Sequence, residues 1–288
     1  MVYLVITTLI WAFSFGLIGT TLKGIDPLQI ADTRLLFALL VFLPFLKLGH
    51  TNWQEKWQLI LIGAVQFGVM YTCYLSAFRF LPSHLVALFS VLTPLYIVII
   101  NDLRQRCFTP WYLLATILSV MGAAVIKIAA IDSSEIWLGF GLMQISNIAF
   151  AFGQVYYRDW KRARPHVSDG AVFGFLYLGA AVFTSIVTLL ISQQPPIPIS
   201  ATSTQWFVLV YLGVVASGLG FFFWNKGASQ VSVGVLAASN NAVVPLAMFA
   251  SLFVFGEANG ATSEELIRLI IGSLLIVLAL LIARRKAA

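Results

Sequence analysis

The sequence predicts an all-α integral membrane protein of ten transmembrane helices, arranged as two inverted repeats of five helices each. Of its 288 residues, 60% are hydrophobic and only 10% are charged, whereas soluble domains carry about 25% charged residues. Apolar runs recur along the chain, and several reach the roughly 20 residues that a helix needs to span a bilayer. Short motifs of the first half also return in the second half.

The length of the chain limits what else it can contain. Ten spanning helices use about 200 residues, which leaves only short loops and two tails. A receptor with an ectodomain, a pump with a nucleotide-binding domain and a two-domain enzyme are therefore excluded. The two cysteines and three histidines are not clustered like metal ligands, so no metal or other cofactor is expected. No hydrolase or phosphate-binding motif supports an enzyme.

Ten apolar segments define the expected helices. The first lacks the basic region and the cleavage site of a signal peptide, so it is expected to be a spanning helix. The fourth is the shortest because Pro82 and Pro94 bracket it. The expected helices are Val2–Thr21, Leu28–Leu48, Trp57–Phe80, His84–Asn101, Trp111–Ile131, Trp137–Tyr157, Ala171–Ser192, Trp206–Lys226, Ser232–Phe255 and Leu266–Ala283.

The positive charges indicate how these helices cross the membrane. If the N-terminus is cytoplasmic, twelve of the seventeen Lys and Arg residues fall on the inner side and five at outer helix ends. The positive-inside rule therefore predicts a multi-pass protein of the inner (plasma) membrane with both termini in the cytoplasm. The densest basic segment, Arg158–Pro165, is either a topology signal or a site for anionic lipid or a partner. The net charge of +6 reflects this bias rather than nucleic-acid binding.

An internal repeat divides the chain into a first half, residues 1–134, and a second half, residues 135–288. WAFSFG at Trp11–Gly16 matches IAFAFG at Ile148–Gly153 in four of six residues, at an offset of 137. A pair of glycines in helix 3 returns in helix 8. Because each half has an odd number of spans, the second half must be inverted in the membrane. Inverted repeats with a binding site near the midplane are typical of secondary transporters.

Uncharged polar residues inside the helices are the best indication of a site, since a polar group in lipid needs a partner or a water-filled cavity. Gln144, Asn147 and Gln154 lie on one face of helix 6, at spacings of three and seven residues. Ser14 of helix 1 and Gln66 of helix 3 belong to similar polar stripes. These side chains either line a central cavity or join neighbouring helices by hydrogen bonds.

Two prolines are expected to interrupt helices 4 and 9 near mid-membrane. A proline frees the carbonyl four residues earlier, so Pro94 would leave the Ser90 carbonyl bare and Pro245 that of Asn241. Asn240 adds another amide at the same level of helix 9. Either these carbonyls accept hydrogen bonds from a solute, with the prolines as gating positions, or each proline makes an ordinary kink.

Aromatic and charged residues complete the expected site. Trp11, Tyr74 and Trp224 neighbour the polar positions and either contact a solute or pack between helices. Asp32 and Arg34 are expected at the outer end of helix 2, so the polar lining should be uncharged and suit a zwitterionic or neutral solute. The expected substrate-binding residues are Trp11, Ser14, Gln66, Tyr74, Ser90, Asn147, Gln154, Trp224, Asn240 and Asn241, with Pro94 and Pro245 as kink or gating positions.

Several short motifs also occur in a characteristic order. They are WAFSF in helix 1, Arg34, Ala77, Pro94, WNKGAS in helix 8, Pro245 and Gly256-Glu257. Together they resemble the EamA-type drug/metabolite transporters over essentially the whole chain. The resemblance implies ten helices in two inverted halves, with a central cavity lined chiefly by helices 1, 3, 4, 6, 8 and 9. One departure is Arg106, which stands at the position equivalent to Glu257.

The resemblance implies a secondary transporter that exports small metabolites, such as aromatic or other neutral amino acids, by alternating access. An importer or a multidrug exporter of the same fold is an alternative. A membrane enzyme or a non-transporting membrane subunit is an alternative from another class. The expected partners are a small solute and membrane lipid, without nucleic acid. Both a monomer and a homodimer remain open.

Overall fold

The protein, seen in a computed structural model, has helices and no strands in the part of the chain that the structure describes. That part comprises residues 1–81, 86, 89–127, 136–192, 195, 197–243, 245–246 and 263–285. We number its main helices in chain order. They are α1 (Val2–Thr21), α2 (Pro27–Phe42), α3 (Trp53–Ala77), α4 (Thr93–Gln105), α5 (Pro110–Lys127), α6 (Ile136–Arg162), α7 (Asp169–Ser192), α8 (Ser203–Ser229), α9 (Val233–Asn240) and α10 (Ser263–Arg285).

Five of these helices are long and apolar enough to cross a membrane. They are α2 with the short 3₁₀ turn that follows it (Pro27–Phe45), α3, α6, α7 and α8. Shorter apolar stretches occur in α1, α5 and α10. Large apolar side chains such as Leu61, Leu190 and Phe207 are mainly exposed, as expected for a surface that faces lipid. The prediction of an all-helical membrane protein is confirmed, while the count of ten spans stays a prediction.

Local capping explains where the helix bounds differ from those predicted. Helix α3 begins four residues before Trp57 because Asn52 and Glu55 form a capping box. Thr202 and Gln205 form the equivalent box at the start of α8. Helix α2 ends at Phe42 rather than Leu48, since Pro44 cannot donate the next backbone hydrogen bond. The predicted start of helix 4 at His84 and the predicted ends of helices 5 and 9 at Ile131 and Phe255 lie outside the described residues.

Helices α3 and α8 share an unusual feature. Each changes from α- to π-helical geometry in its middle, at Ala64–Val69 in α3 and at Leu212–Leu219 in α8. The paired glycines of the sequence repeat flank or lie within these segments: Gly63 and Gly68 in α3, Gly213 and Gly218 in α8. A Cβ on Gly63 would overlap the backbone carbonyl of Leu176 in α7. Glycine therefore allows the two helix backbones to approach closely.

The packing of the helices follows a paired pattern. Helix α3 packs against α6 and α7, and α8 packs against α1 and α2. Helices α2 and α7, α4 and α9, and α5 and α10 also pack directly against each other. Apolar and aromatic residues such as Phe67, Phe173 and Tyr177 form the largest buried cluster, between α2, α3, α7 and α8. Helices α3 and α8 thus each pack against two other helices.

The arginines and lysines of several helix ends gather at one end of the bundle, which we call the basic end. There Arg104 at the end of α4 pairs with Asp159 of α6 at 2.7 Å. Arg164, just after α6, pairs with Glu55 of α3. Arg162 donates to the Val231 carbonyl before α9 at 2.7 Å. At the opposite end, Arg79 pairs with Asp26 at 2.8 Å.

Candidate functional site

A cavity of about 130 Å³ lies between α1, α2, α3, α6 and α8. Residues at the start of α4 and at the end of α9 complete its wall. It lies toward the end opposite the basic end, because Ile18 and Tyr74 belong to the last turns of α1 and α3. Six of the ten expected binding residues line it. They are Trp11, Ser14, Tyr74, Ser90, Asn147 and Asn240.

Asn147 is a polar residue of the lining that two hydrogen bonds hold in place. It is buried in the middle of α6, and its Nδ2 donates to the Phe89 carbonyl at 2.8 Å and to Gln144 Oε1 at 3.3 Å. Phe89 lies just before the 3₁₀ turn Ser90–Leu92 that leads into α4. The amide therefore ties α6 to the entry of α4 at the cavity wall. Its position matches the central face predicted for helix 6.

Asn240 lies at the end of a small hydrogen-bond network behind the cavity. Its Nδ2 donates to Gln154 Oε1 at 3.2 Å, and the same oxygen accepts from Trp224 Nε1 at 2.8 Å. The network joins α9, α6 and α8. Gln154 and Trp224 are almost fully buried and do not line the cavity. They support Asn240 instead of reaching the solute space.

Aromatic rings form one wall of the cavity around Trp11. The Trp11 ring lies 5.0 Å from Phe221, 5.0 Å from Trp224 and 6.0 Å from Phe150, centroid to centroid. Its Nε1 donates to the Ala216 carbonyl of α8 at 2.9 Å, in the π-helical segment. This hydrogen bond orients the indole ring, and the wall can pack against an apolar solute ring.

Arg34 lines the cavity, which the sequence reasoning missed. It is 3% exposed and was expected at the outer end of helix 2. Because α2 begins at Pro27, capped by Asp26, Arg34 lies seven residues inside the helix, about 10 Å along its axis. Asp26 as the N-cap and Pro27 as the first residue could have indicated from the sequence where α2 begins and therefore how deep Arg34 lies. The expectation of an uncharged lining is wrong for this reason.

Several contacts orient the Arg34 guanidinium. Its Nε donates to Ser217 Oγ of α8 at 3.1 Å, and its Cζ lies 4.6 Å from the ring centroid of Tyr71. The Tyr71 hydroxyl and Ser217 Oγ are joined by a hydrogen bond of 2.9 Å. Asp32 turns to α7 instead, where it accepts hydrogen bonds from Thr184 at 2.7 Å and Ser185 at 2.9 Å.

Gln66 and Asn241 were expected in the site but lie outside the cavity. Gln66 of α3 and Asn225 of α8 exchange two amide hydrogen bonds, of 2.8 and 3.1 Å, in the buried core. Asn241 donates from Nδ2 to the Val91 carbonyl at 3.2 Å. Their amide groups are used between helices, which is the alternative role that the sequence left open.

The expected bare carbonyl at Ser90 is not found. The Ser90 carbonyl accepts hydrogen bonds from the Thr93 backbone amide and from Thr93 Oγ1, the latter at 2.8 Å. Pro94 then lies in the first turn of α4, where a missing N–H costs little. Val244, which precedes Pro245, and residues 247–262, which include Glu257, lie outside the described residues, so the expected kink at Pro245 stays a prediction. Among those described, no three His, Cys, Asp or Glu residues form a group that could hold a metal.

Comparison with known proteins gives consistent matches. The family model for the EamA-like transporter family matches residues 1–128. A "Biotin transporter" of Salmonella typhimurium (strain LT2) is 39% identical over 259 residues, 89% of this chain and 85% of that protein. A "Probable biotin transporter" of Pseudomonas aeruginosa is 38% identical over 286 residues, 99% and 97% of the two chains. A solved crystal structure has a TM-score of 0.78 at 20% identity, with 99% of this chain and 97% of that chain covered, and shows the same fold.

Proposed function

The chain belongs to the EamA-like transporter family, and from this premise we propose that it carries biotin across the membrane. Membership makes it a multi-pass membrane transporter and not an enzyme. Both relatives described above match most of its length, one of them named a biotin transporter and the other a probable biotin transporter. These names favour biotin over the neutral amino acids expected from the sequence.

The observation that carries the proposal is the mixed chemistry of the cavity. Biotin combines an apolar bicyclic ring, an uncharged ureido group and an aliphatic chain that ends in a carboxylate. The wall around Trp11, Phe150 and Phe221 offers rings for the bicycle. Asn147 and Asn240 lie on the same cavity, and because their Nδ2 groups donate within the protein, their side-chain oxygens are suited to accept hydrogen bonds from ureido N–H groups.

We propose alternating access between two inverted halves, residues 1–134 and 135–288, as the mechanism. The paired packing supports it: α3 contacts α6 and α7 as α8 contacts α1 and α2. The π-helical segments at matching places in α3 and α8 support it as well. In this proposal each half contributes five spans. The protein lies in the inner membrane, and its basic end and N-terminus face the cytoplasm.

Counterflow into proteoliposomes tests the substrate. Vesicles loaded with unlabelled biotin should accumulate labelled biotin, and labelled phenylalanine should exchange at least tenfold more slowly. Exchange of phenylalanine without exchange of biotin would replace the biotin proposal with the amino-acid carrier expected from the sequence. No exchange of either solute would contradict both substrates.

A paired substitution tests the cavity as the path. Ser146 and Ile148 lie two residues apart on α6, but Ser146 is buried and lines the cavity while Ile148 is 44% exposed. Ser146→Phe should fill the cavity and reduce biotin counterflow at least tenfold. Ile148→Phe adds a ring on the outer face and should keep most of the rate. Equal rates for the two well-folded variants would show that the solute takes another path.

A further inference from the structure

We infer that Arg34 binds the carboxylate of the transported solute, so that the cavity selects monocarboxylates over their neutral counterparts and over zwitterionic amino acids. This inference rests on the proposed transport function and on the cavity described above. It assigns to Arg34 the role of the specificity-determining residue. It requires a solute with one carboxylate and an otherwise uncharged body.

The guanidinium of Arg34 is held ready for an anion. Ser217 accepts the hydrogen bond from Nε, and the Arg34 Cζ lies over the Tyr71 ring. These two contacts fix the group from α8 and α3 while it lines the cavity. Because Ser217 uses Nε, the two Nη groups remain for a solute, and a carboxylate can accept from both in parallel.

The charge of Arg34 has no counter-ion among the described residues. None of the ion pairs found there includes it, and its Nη1 is buried without any hydrogen-bond partner. Asp32, two residues earlier in the same helix, is engaged by Thr184 and Ser185. A buried charge without a counter-ion is unfavourable, so a solute carboxylate would supply the counter-charge that the described residues do not provide.

The remaining lining distinguishes a monocarboxylate from an amino acid. Of the described residues that line the cavity, Arg34 is the one charged residue, and the others are hydroxyl, amide, thioether, aromatic or aliphatic. An amino acid bound through its carboxylate would bring its ammonium group within a few ångström of the guanidinium. Like charges at such distances repel, and no described carboxylate lines the cavity to offset the repulsion.

Matched acid and amide ligands test the inference directly. Calorimetric titration of the purified protein would compare biotin with biotinamide, and octanoate with octanamide. The parent protein should bind the acid of each pair at least tenfold more tightly than its amide. Arg34→Gln should lose this preference but bind biotinamide within threefold of the parent affinity. Arg34→Lys should keep part of the preference, since it retains the charge without the planar pair of donors.

The matched control is Arg79→Gln, which removes an arginine that is more than a third exposed and pairs with Asp26 outside the cavity. It should leave the acid preference unchanged. Unaltered biotin affinity in folded Arg34→Gln would overturn the inference. If that variant does not fold, the parent decides, because equal affinity for biotin and biotinamide would overturn it without any variant.

The two proposals fail in different ways. Octanoate binding that depends on Arg34, without any biotin binding, would remove biotin as the substrate and retain the carboxylate site. Biotin transport with equal affinity for acid and amide would retain the substrate and remove the site. Absence of binding of either acid to the folded parent would overturn both.

Discussion

Asn147 and Gln66 are both buried amides in the middle of apolar helices, but their partners differ. Gln66 exchanges two hydrogen bonds with Asn225 and has no contact with the cavity. Asn147 donates to the Phe89 carbonyl while it also lines the cavity. The first amide therefore contributes to stability alone, whereas we expect the second to act in solute binding as well.

We predict opposite consequences when these two amides are removed. Asn147→Ala should weaken apparent affinity for the solute tenfold or more, since a lost buried hydrogen bond costs about 1–3 kcal/mol. Gln66→Ala should lower the melting temperature, because Asn225 is left without its partner, and should leave the affinity of the folded protein unchanged. Counterflow at varied solute concentration and thermal melting in detergent measure the two effects. Unchanged affinity in Asn147→Ala would make that residue a helix-joining amide like Gln66.

At the scale of single helices, π-helical segments and glycines shape α3 and α8. The segment in α8 includes Ala216 and Ser217, whose carbonyl and hydroxyl hold Trp11 and Arg34. A π-helical turn shifts the register of the residues that follow it, and such turns are frequent at functional sites. The irregular part of α8 thus positions both the aromatic wall and the guanidinium.

We predict that Gly63 cannot be replaced without loss of stability. Gly63→Ala would drive a methyl group into the Leu176 backbone, and such overpacking costs about 1–3 kcal/mol. Gly141→Ala on α6 is the control, since nothing lies within 4 Å of its added Cβ, and alanine favours a helix over glycine by up to about 1 kcal/mol. Thermal melting should show a clear decrease for the first variant and none for the second. If Gly63→Ala melts at the same temperature as the parent, α3 and α7 must lie farther apart in solution than in this structure.

At the scale of the whole molecule, the two ends of the bundle are tied differently. At the basic end, ion pairs join α4 to α6 and the segment after α6 to α3. The cavity lies toward the opposite end. Alternating access requires the basic-end contacts to separate when the solute passes through. The orientation of the basic end then decides which side of the membrane the cavity faces.

We predict that the basic end is cytoplasmic. In a background with Cys73→Ser and Cys107→Ser, which removes both native thiols, a cysteine at exposed Ala163 should resist an impermeant reagent added outside intact cells. A cysteine at exposed Lys23 should react with it. After the membrane is permeabilised, both positions should react. External labelling at Ala163 with protection at Lys23 would reverse the orientation.

Much of the architecture and part of the site follow from local sequence patterns. The apolar composition and the spacing of polar residues predicted a helical membrane protein and placed Trp11, Ser14 and Asn147 on inward faces, because helical periodicity is a property of neighbouring residues. The positions of six expected residues on one cavity agree with that reasoning. Their roles in binding remain predictions.

Only the tertiary structure decided which polar groups reach the cavity. The partner of Gln66 lies 159 residues away in the chain, and the Ser217 hydroxyl that holds Arg34 lies 183 residues away. A single helix pattern cannot show such a partner, because the rotation and depth of each helix depend on packing against helices from the other half. By itself the sequence determined a helical membrane protein with polar inner faces. The packing of the helices decided that Gln66 pairs with Asn225 outside the cavity and that the charged Arg34 side chain lines it.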